Sequence, residues 1–210
     1  MNNINAFKIN TFQDLKTHLI ICEDIFENPL QIREDALQKH NHSIKKAFGY
    51  VCRWGVITID MLKFYAETLK LNIYLKAFHY LFISNGISMF PHQDSNNISD
   101  ISDIVRVDYE NNDISNKKFI SLASVIYLNP YIDKPNYTNF YEYFNNSCRH
   151  AVSAVTSAVG NRFNKCVIYD GSTFHSPGEG FGDDNDMDNP TDVRLTATYF
   201  IDAYHSTPTK

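Results

Sequence analysis

From Asn72 the chain takes on a period of two. Ile73, Leu75, Ala77, His79, Leu81 and Ile83 alternate with Tyr74, Lys76, Phe78, Tyr80 and Phe82. Successive side chains of a strand point to opposite faces, so the pattern predicts a strand over Asn72 to Ile83 with both faces partly covered. Strand-like runs then recur to the end of the chain: Ile104 to Val107, Phe119 to Asn129 ahead of the stop at Pro130, Tyr137 to Phe144, Arg162 to Tyr169, and Arg194 to Ile201. Ala151 to Val159, small and β-branched, fits strand or helix equally. Asn85-Gly86 and Asp170-Gly171 are turn pairs. The abundance of Phe and Tyr suits a sheet protein as well. The chain is therefore mainly β.

Before Asn72 the signals are helical. Thr11 to Leu15 opens like a short helix with Thr11 as cap. Asn28-Pro29 is a helix start, with a capping residue followed by a proline at the first helical position, and the spacing predicts a helix through Gln38. Met61, Leu62, Phe64, Tyr65 and Leu69 form the apolar stripe of another over Asp60 to Leu69. Ile20-Ile21 reads as a short strand. The expected fold class is α+β: a β core with supporting N-terminal helices. We expect one domain over residues 1–210, with 1–71 as helical support, 72–202 as the core and 203–210 as a tail; a chain of this length buries a full core.

Charge and cysteine usage exclude several functions. The formal net charge is −5 and no Lys/Arg cluster stands out, which argues against nucleic acid as a main partner, since phosphate binding needs a basic footprint. Cys22, Cys52, Cys148 and Cys166 are widely spaced, lack a zinc-type pair, and read as reduced thiols. The first residues have neither the basic region nor the apolar core of a signal peptide, and no apolar run approaches the ~20 residues that span a bilayer. These features lead us to expect a cytoplasmic protein with no membrane association.

Chemistry enters at Met89-Phe90-Pro91-His92-Gln93-Asp94. In an extended segment His92 and Asp94 point the same way, so an imidazole and a carboxylate converge where a packed core would avoid them. A third donor is available in His175, at the end of another apolar run, Cys166 to Tyr169. Two histidines and one carboxylate on one face, with other positions open, is the non-haem Fe(II) arrangement. His79, within a strand, reads as a core residue. In the last strand Arg194, Thr196, Thr198 and Phe200 share a face, aiming a guanidinium and a hydroxyl inward. A buried Arg needs an anionic partner, and its planar fork suits a carboxylate, from the protein or from a ligand. Two polar stretches flank these elements. Residues 95–116 form an Asn/Ser/Asp-rich insertion. Residues 178–193 form a loop with three glycines and six acidic residues, readable as a lid with glycine hinges or as plain exposed chain. Asp184, Asp186 and Asp188 start like a calcium loop, but Asn189 and Leu195 stand where such a loop needs Gly and Glu.

The order His92-x-Asp94, His175, Arg194-x-Thr196 resembles the signature of the Fe(II)/2-oxoglutarate-dependent dioxygenases. Tyr127-Leu128-Asn129 resembles the Tyr-Leu-Asn segment of their prolyl-hydroxylase-like branch. Thr138-x-Phe140-Tyr141 sits where that branch often carries Gly-Gly-x-Thr-x-Phe, but the two glycines are absent here, where Asn136-Tyr137 precede Thr138, and the gap from His175 to Arg194 is longer than usual. The resemblance spans residues 20 to 202. It implies a double-stranded β-helix, a jelly roll of two facing sheets. It implies His92, Asp94 and His175 as ligands of Fe(II), and Arg194, Tyr127 and Thr196 as the residues that hold the distal carboxylate of 2-oxoglutarate. With O2, such an enzyme hydroxylates a substrate C–H bond and releases succinate and CO2. Asp94 argues against a halogenase, in which a small residue replaces that carboxylate. The branch implies a peptidyl or small, amino-acid-like substrate, with Phe90, Phe140, Tyr141 and Phe174 as candidate mouth residues. The rival reading is a non-catalytic jelly roll that binds a metal or ligand or serves a structural role; such a module has no need of three ligands and Arg194 together.

Overall fold

A computed structural model describes residues 19–46, 49–52, 59–84, 91–94, 105–107, 119–130, 136–143, 152–182 and 192–204. Among them the elements run β1 (Ile20–Cys22), α1 (Pro29–Gln38), β2 (Ile44–Lys46), β3 (Gly49–Cys52), α2 (Ile59–Leu69), β4 (Asn72–Ile83), β5 (Val105–Val107), β6 (Ile120–Tyr127), β7 (Tyr137–Tyr143), β8 (Val152–Gly160), β9 (Cys166–Asp170), β10 (Phe174–Pro177) and β11 (Arg194–Tyr204). A large sheet has the order β1-β9-β6-β11-β4-β3-β2, with β5 also on β4, and a small sheet has the order β10-β7-β8. The pairings are antiparallel.

Strand β11 shows how the core is divided. Leu195, Ala197, Tyr199, Ile201 and Ala203 join the cluster packed against the helices, whereas Phe200 joins Tyr127, Phe140, Val159 and Tyr169 on the opposite face. Because Phe140 and Val159 come from the small sheet, that second cluster is the seam between the two sheets. A strand covered on both faces reads as a continuous buried run, and β11 does. The predicted jelly roll is thus matched at the level of two antiparallel sheets packed face to face.

The helices cover the outer face as expected. In α1, Pro29 occupies the first turn, but the Asn28 side chain makes no cap bond; the Asn28 carbonyl accepts from Gln31 N instead. Proline's fixed φ sets this start. Tyr80 of β4 donates to Asp35 of α1 at 2.9 Å, and Tyr65 of α2 shares a 2.6 Å hydrogen bond with Ser124 of β6. Each helix is therefore tied to the sheet by a buried tyrosine, which satisfies its hydroxyl when buried.

Several boundaries moved. The short strand expected at Ile20-Ile21 is β1; beyond the helices expected of residues 1–71, this region also supplies β2 and β3 to the large sheet. The strand foreseen from Arg162 begins only at Cys166, because Asn164 takes a left-handed φ of 62° and its amide pairs with both backbone groups of Phe26. Residues 152–160 are strand. His92 sits in an isolated bridge rather than at the end of a described strand. The Thr11–Leu15 helix, the Asn85-Gly86 turn, Phe90, Cys148, the acidic triplet and most of the 95–116 insertion lie outside the described residues. Among the described residues no helix is long and apolar enough to cross a membrane.

Cys22, Cys52 and Cys166 are free and fully buried. Cys22 and Cys166 stand opposite one another in β1 and β9; burial pushes the Cys22 thiol up to about 12 and raises that of Cys166 as well. Thiolate is the reactive form. Iodoacetamide under native conditions should therefore leave all three unmodified, and site-resolved mass spectrometry should find them alkylated only after denaturation. Native labelling of Cys22 or Cys166 would contradict this packing.

Candidate metal centre

Residues 91–94 run beside the turn that leads into β10. His92 and His175 exchange both backbone hydrogen bonds at 2.9 Å, and Asp94 N donates to Gly171 O at 2.9 Å. A pair that exchanges both bonds projects its side chains to the same face, so the two imidazoles lie with ring centroids 4.4 Å apart. Asp94, two residues on, joins them: Oδ1 lies 4.0 Å from His92 Nε2 and Oδ2 lies 3.5 Å from His175 Nε2. Ligand atoms of all three residues fall within 4.8 Å of one another. The three predicted donors are brought together.

The protonation pattern shows what the cluster can hold. His175 Nδ1 is 3.0 Å from Thr173 O. A carbonyl only accepts, so the proton resides on Nδ1 and the Nε2 lone pair faces Asp94. Burial lowers the His175 pKa to about 4, with the Thr173 carbonyl opposing, and raises that of Asp94 to about 6, with His92 and the Tyr169 hydroxyl opposing. At neutral pH a neutral imidazole thus presents its lone pair to a carboxylate. With Asp94 ionised, two acceptors 3.5 Å apart repel unless a proton or a metal ion lies between them. The donor set fits a divalent metal of the Fe(II) type, which accepts imidazole and carboxylate together.

Beyond the donors lies a second polar group on the inner face of the large sheet. Arg194 is 2% exposed. Its Nε donates to Asn136 Oδ1 at 2.9 Å, and its guanidinium carbon is 5.9 Å from the Tyr127 ring centroid. Among the described residues no carboxylate pairs with it. Burial lowers its pKa, opposed by the nearby hydroxyls of Tyr127 and Tyr169. Thr196 shares the face of Arg194, and its buried hydroxyl has no hydrogen-bond partner. Tyr127 stands opposite Thr196 in register and bonds Thr138 Oγ1 at 2.6 Å and Val159 O at 3.4 Å. An uncompensated guanidinium beside an orphaned hydroxyl costs stability. A ligand carboxylate, such as the distal end of a dicarboxylate, is the kind of group that would satisfy both.

Sequence reasoning missed the residues between and behind these groups. Tyr169 donates to Asp94 Oδ2 at 3.4 Å and packs tilted against the His175 ring, with centroids 4.7 Å apart, while acting electrostatically on Arg194. The alternation Val167, Tyr169 in β9 carried that signal, because both face the seam. Asn129 donates to Val193 O at 2.8 Å and accepts from Leu195 N at 2.7 Å, gripping the backbone on both sides of Arg194. Phe140, a candidate mouth residue, is instead core: it lies buried in the seam, 5.2 Å from Tyr169 edge-on. Tyr141 hydrogen-bonds Ser176 at 2.8 Å. The glycines of the acidic loop serve close approach as well as turning. A Cβ on Gly180 would sit 1.9 Å from Ser84 O, and one on Gly178 would sit 2.9 Å from Tyr137 O, while Gly182 takes a φ of +81°.

No family model and no curated protein matches the chain. Solved structures do. The epimerase SnoN from nogalamycin biosynthesis, described as non-haem and α-ketoglutarate-dependent, is 12% identical with a TM-score of 0.57, over 93% of this chain and 86% of its own. The carbocyclase SnoK, of the same description, is 8% identical with a TM-score of 0.54, over 95% and 88%. A Pseudomonas putida prolyl-4-hydroxylase is 12% identical with a TM-score of 0.52, over 93% and 97%. The chain shares their fold. In a separate structure, SnoN is held in complex with Fe3+, α-ketoglutarate and nogalamycin RO.

Proposed function

We infer that this protein is an Fe(II)- and 2-oxoglutarate-dependent oxygenase that oxidises a C–H bond of its substrate. The observation that carries the reading is the conjunction of two groups in one seam. His92, Asp94 and His175 bring one ligand atom each within 4.8 Å of one another, and Arg194 with Thr196 offers a buried guanidinium that no carboxylate pairs with among the described residues and a buried hydroxyl without a hydrogen-bond partner. The likeness in fold to SnoN, SnoK and the prolyl-4-hydroxylase supports it. A non-catalytic jelly roll would not need a buried cation without a protein counter-charge.

In this reading His92, Asp94 and His175 hold the metal, and Thr173 keeps His175 in the tautomer that ligates. Arg194 and Thr196 receive the distal carboxylate of 2-oxoglutarate, and the Tyr127 ring lies against the guanidinium. When bound, Fe(II) with 2-oxoglutarate and O2 supplies the oxidising power, with succinate and CO2 as co-products. The chain's own residues position the reactants and, through Phe140, Val159 and Tyr169, keep water out of the seam. The outcome at the substrate we take to be hydroxylation of a peptidyl or small, amino-acid-like molecule. Structures of this fold also include an epimerase and a carbocyclase, so the product must be read from the substrate itself.

Anaerobic titration of the Fe(II)-loaded protein with 2-oxoglutarate tests this directly. A weak, saturable visible charge-transfer band, absent in the His92→Ala variant, is the expected result. Full iron loading without any band would instead favour the binding-module reading.

A further inference from the structure

We propose that Asn136 is the positioning residue of the anion pocket: a neutral clamp that fixes Arg194 through Nε and leaves its charge for the co-substrate. The inference rests on the reading of Arg194 given above and concerns a residue that the sequence pattern left without a role.

The amide orientation of Asn136 is determined by its surroundings. Its Nδ2 donates to the carbonyl of Glu179, which can only accept, so Oδ1 must face Arg194 Nε. Asn136 is 5% exposed, and its own backbone carbonyl accepts from Asn161 N at 2.7 Å. Asn129 meanwhile holds the backbone at Val193 and Leu195. Arg194 is therefore fixed at both ends, with its main chain gripped by one asparagine and its Nε by the other. With Nε occupied, the bidentate face left to a ligand is the one between the two terminal nitrogens.

The chemical identity of the clamp matters as much as its place. An aspartate of the same shape would give Arg194 a buried counter-ion and remove the pocket's attraction for a carboxylate. Asparagine accepts the same hydrogen bond without the charge. The clamp also ties the pocket to the start of the acidic loop, since Glu179 is followed by Gly180, which packs directly on Ser84 O beside Ile83, the cross-strand partner of Arg194.

The test is calorimetric titration of the Mn(II)-loaded protein with 2-oxoglutarate and with pyruvate, a 2-oxo acid lacking the distal carboxylate. The wild-type protein should prefer 2-oxoglutarate by about 100-fold or more. Asn136→Asp should reduce that preference to within about tenfold while leaving Mn(II) and pyruvate binding unchanged. Asn136→Ala, which keeps the charge but frees the guanidinium, should cost 2-oxoglutarate about tenfold and pyruvate nothing; it decides the matter if the aspartate variant does not fold. Wild-type preference retained in either folded variant overturns the role of Asn136. A wild-type protein with no preference overturns the Arg194 reading itself, and the clamp with it.

Discussion

His175→Ala should abolish the stabilisation that a divalent metal gives this protein. Binding to the native state alone raises stability by about 2.7 kcal/mol when the metal is at 100 times its dissociation constant. For a domain of this size each kcal/mol moves the melting temperature by roughly 2–4 °C, so Mn(II) or Co(II) should raise it by roughly 5–10 °C in the wild type. The variant loses the donor whose lone pair faces Asp94 at 3.5 Å. Loss of an outer-shell partner alone costs about 10–100-fold in metal affinity, and loss of a ligand costs more. The His175 ring also packs on Tyr169 and His92, so its removal leaves a cavity. Large-to-small changes in a core cost about 2–5 kcal/mol, partly offset here because two mutually repelling acceptors are reduced to one. A lower melting temperature without metal is thus expected and is not the diagnostic. The diagnostic is the metal-dependent shift. If it survives in His175→Ala at wild-type concentration dependence, the three residues are not the metal site.

The donors were legible in the sequence because the physics that places them is local. His92 and Asp94 are two apart in extended chain, and His175 follows a strand whose apolar run marks it as buried. Arg194 was legible for the same reason, since an alternation that puts it on a face with Phe200 puts it in the seam. The groups that orient these residues were not. Asn136 and Asn129 act through side-chain hydrogen bonds whose partners are set by how strands cross in space, and Thr173 acts through its backbone carbonyl, which the identity of its side chain does not reveal. Asn136 reaches Arg194 across 58 positions of sequence, and no periodicity encodes such a contact. The expected carboxylate partner of Arg194 was a sound inference from the cost of burying a charge. Among the described residues the chain answers that cost with an amide instead, which is informative: a group held at a penalty in the free protein is one that a ligand can satisfy. The fold class followed from the change of period at Asn72, and Ile20-Ile21 marked β1, yet β2 and β3 escaped the reading of residues 1–71 because strands of three and four residues are too short to show an alternation.

Arg194→Leu should weaken 2-oxoglutarate binding by at least ~100-fold and leave the stability of the protein close to that of the wild type. The two halves of this expectation have one cause. Breaking a buried charged pair by removing one partner costs about 3–5 kcal/mol, and 1.4 kcal/mol is a factor of ten in affinity; in the co-substrate complex that loss falls on binding. In the free protein the balance differs. Replacing a buried charge by an apolar side chain is neutral or stabilising by about 1–4 kcal/mol, whereas stranding the Asn136 amide oxygen costs about 1–3 kcal/mol. The two nearly cancel. Arg194→Lys should not restore binding, because an ammonium on a flexible stem cannot bond Asn136 from one edge and a carboxylate from another as a planar fork can. Thermal melts and 2-oxoglutarate titrations on the same Mn(II)-loaded samples separate the contributions. A variant that melts like wild type and binds 2-oxoglutarate poorly is the signature of a residue kept for its ligand. A large loss of stability with unchanged affinity would make Arg194 a structural residue and remove the anion pocket from the proposed chemistry.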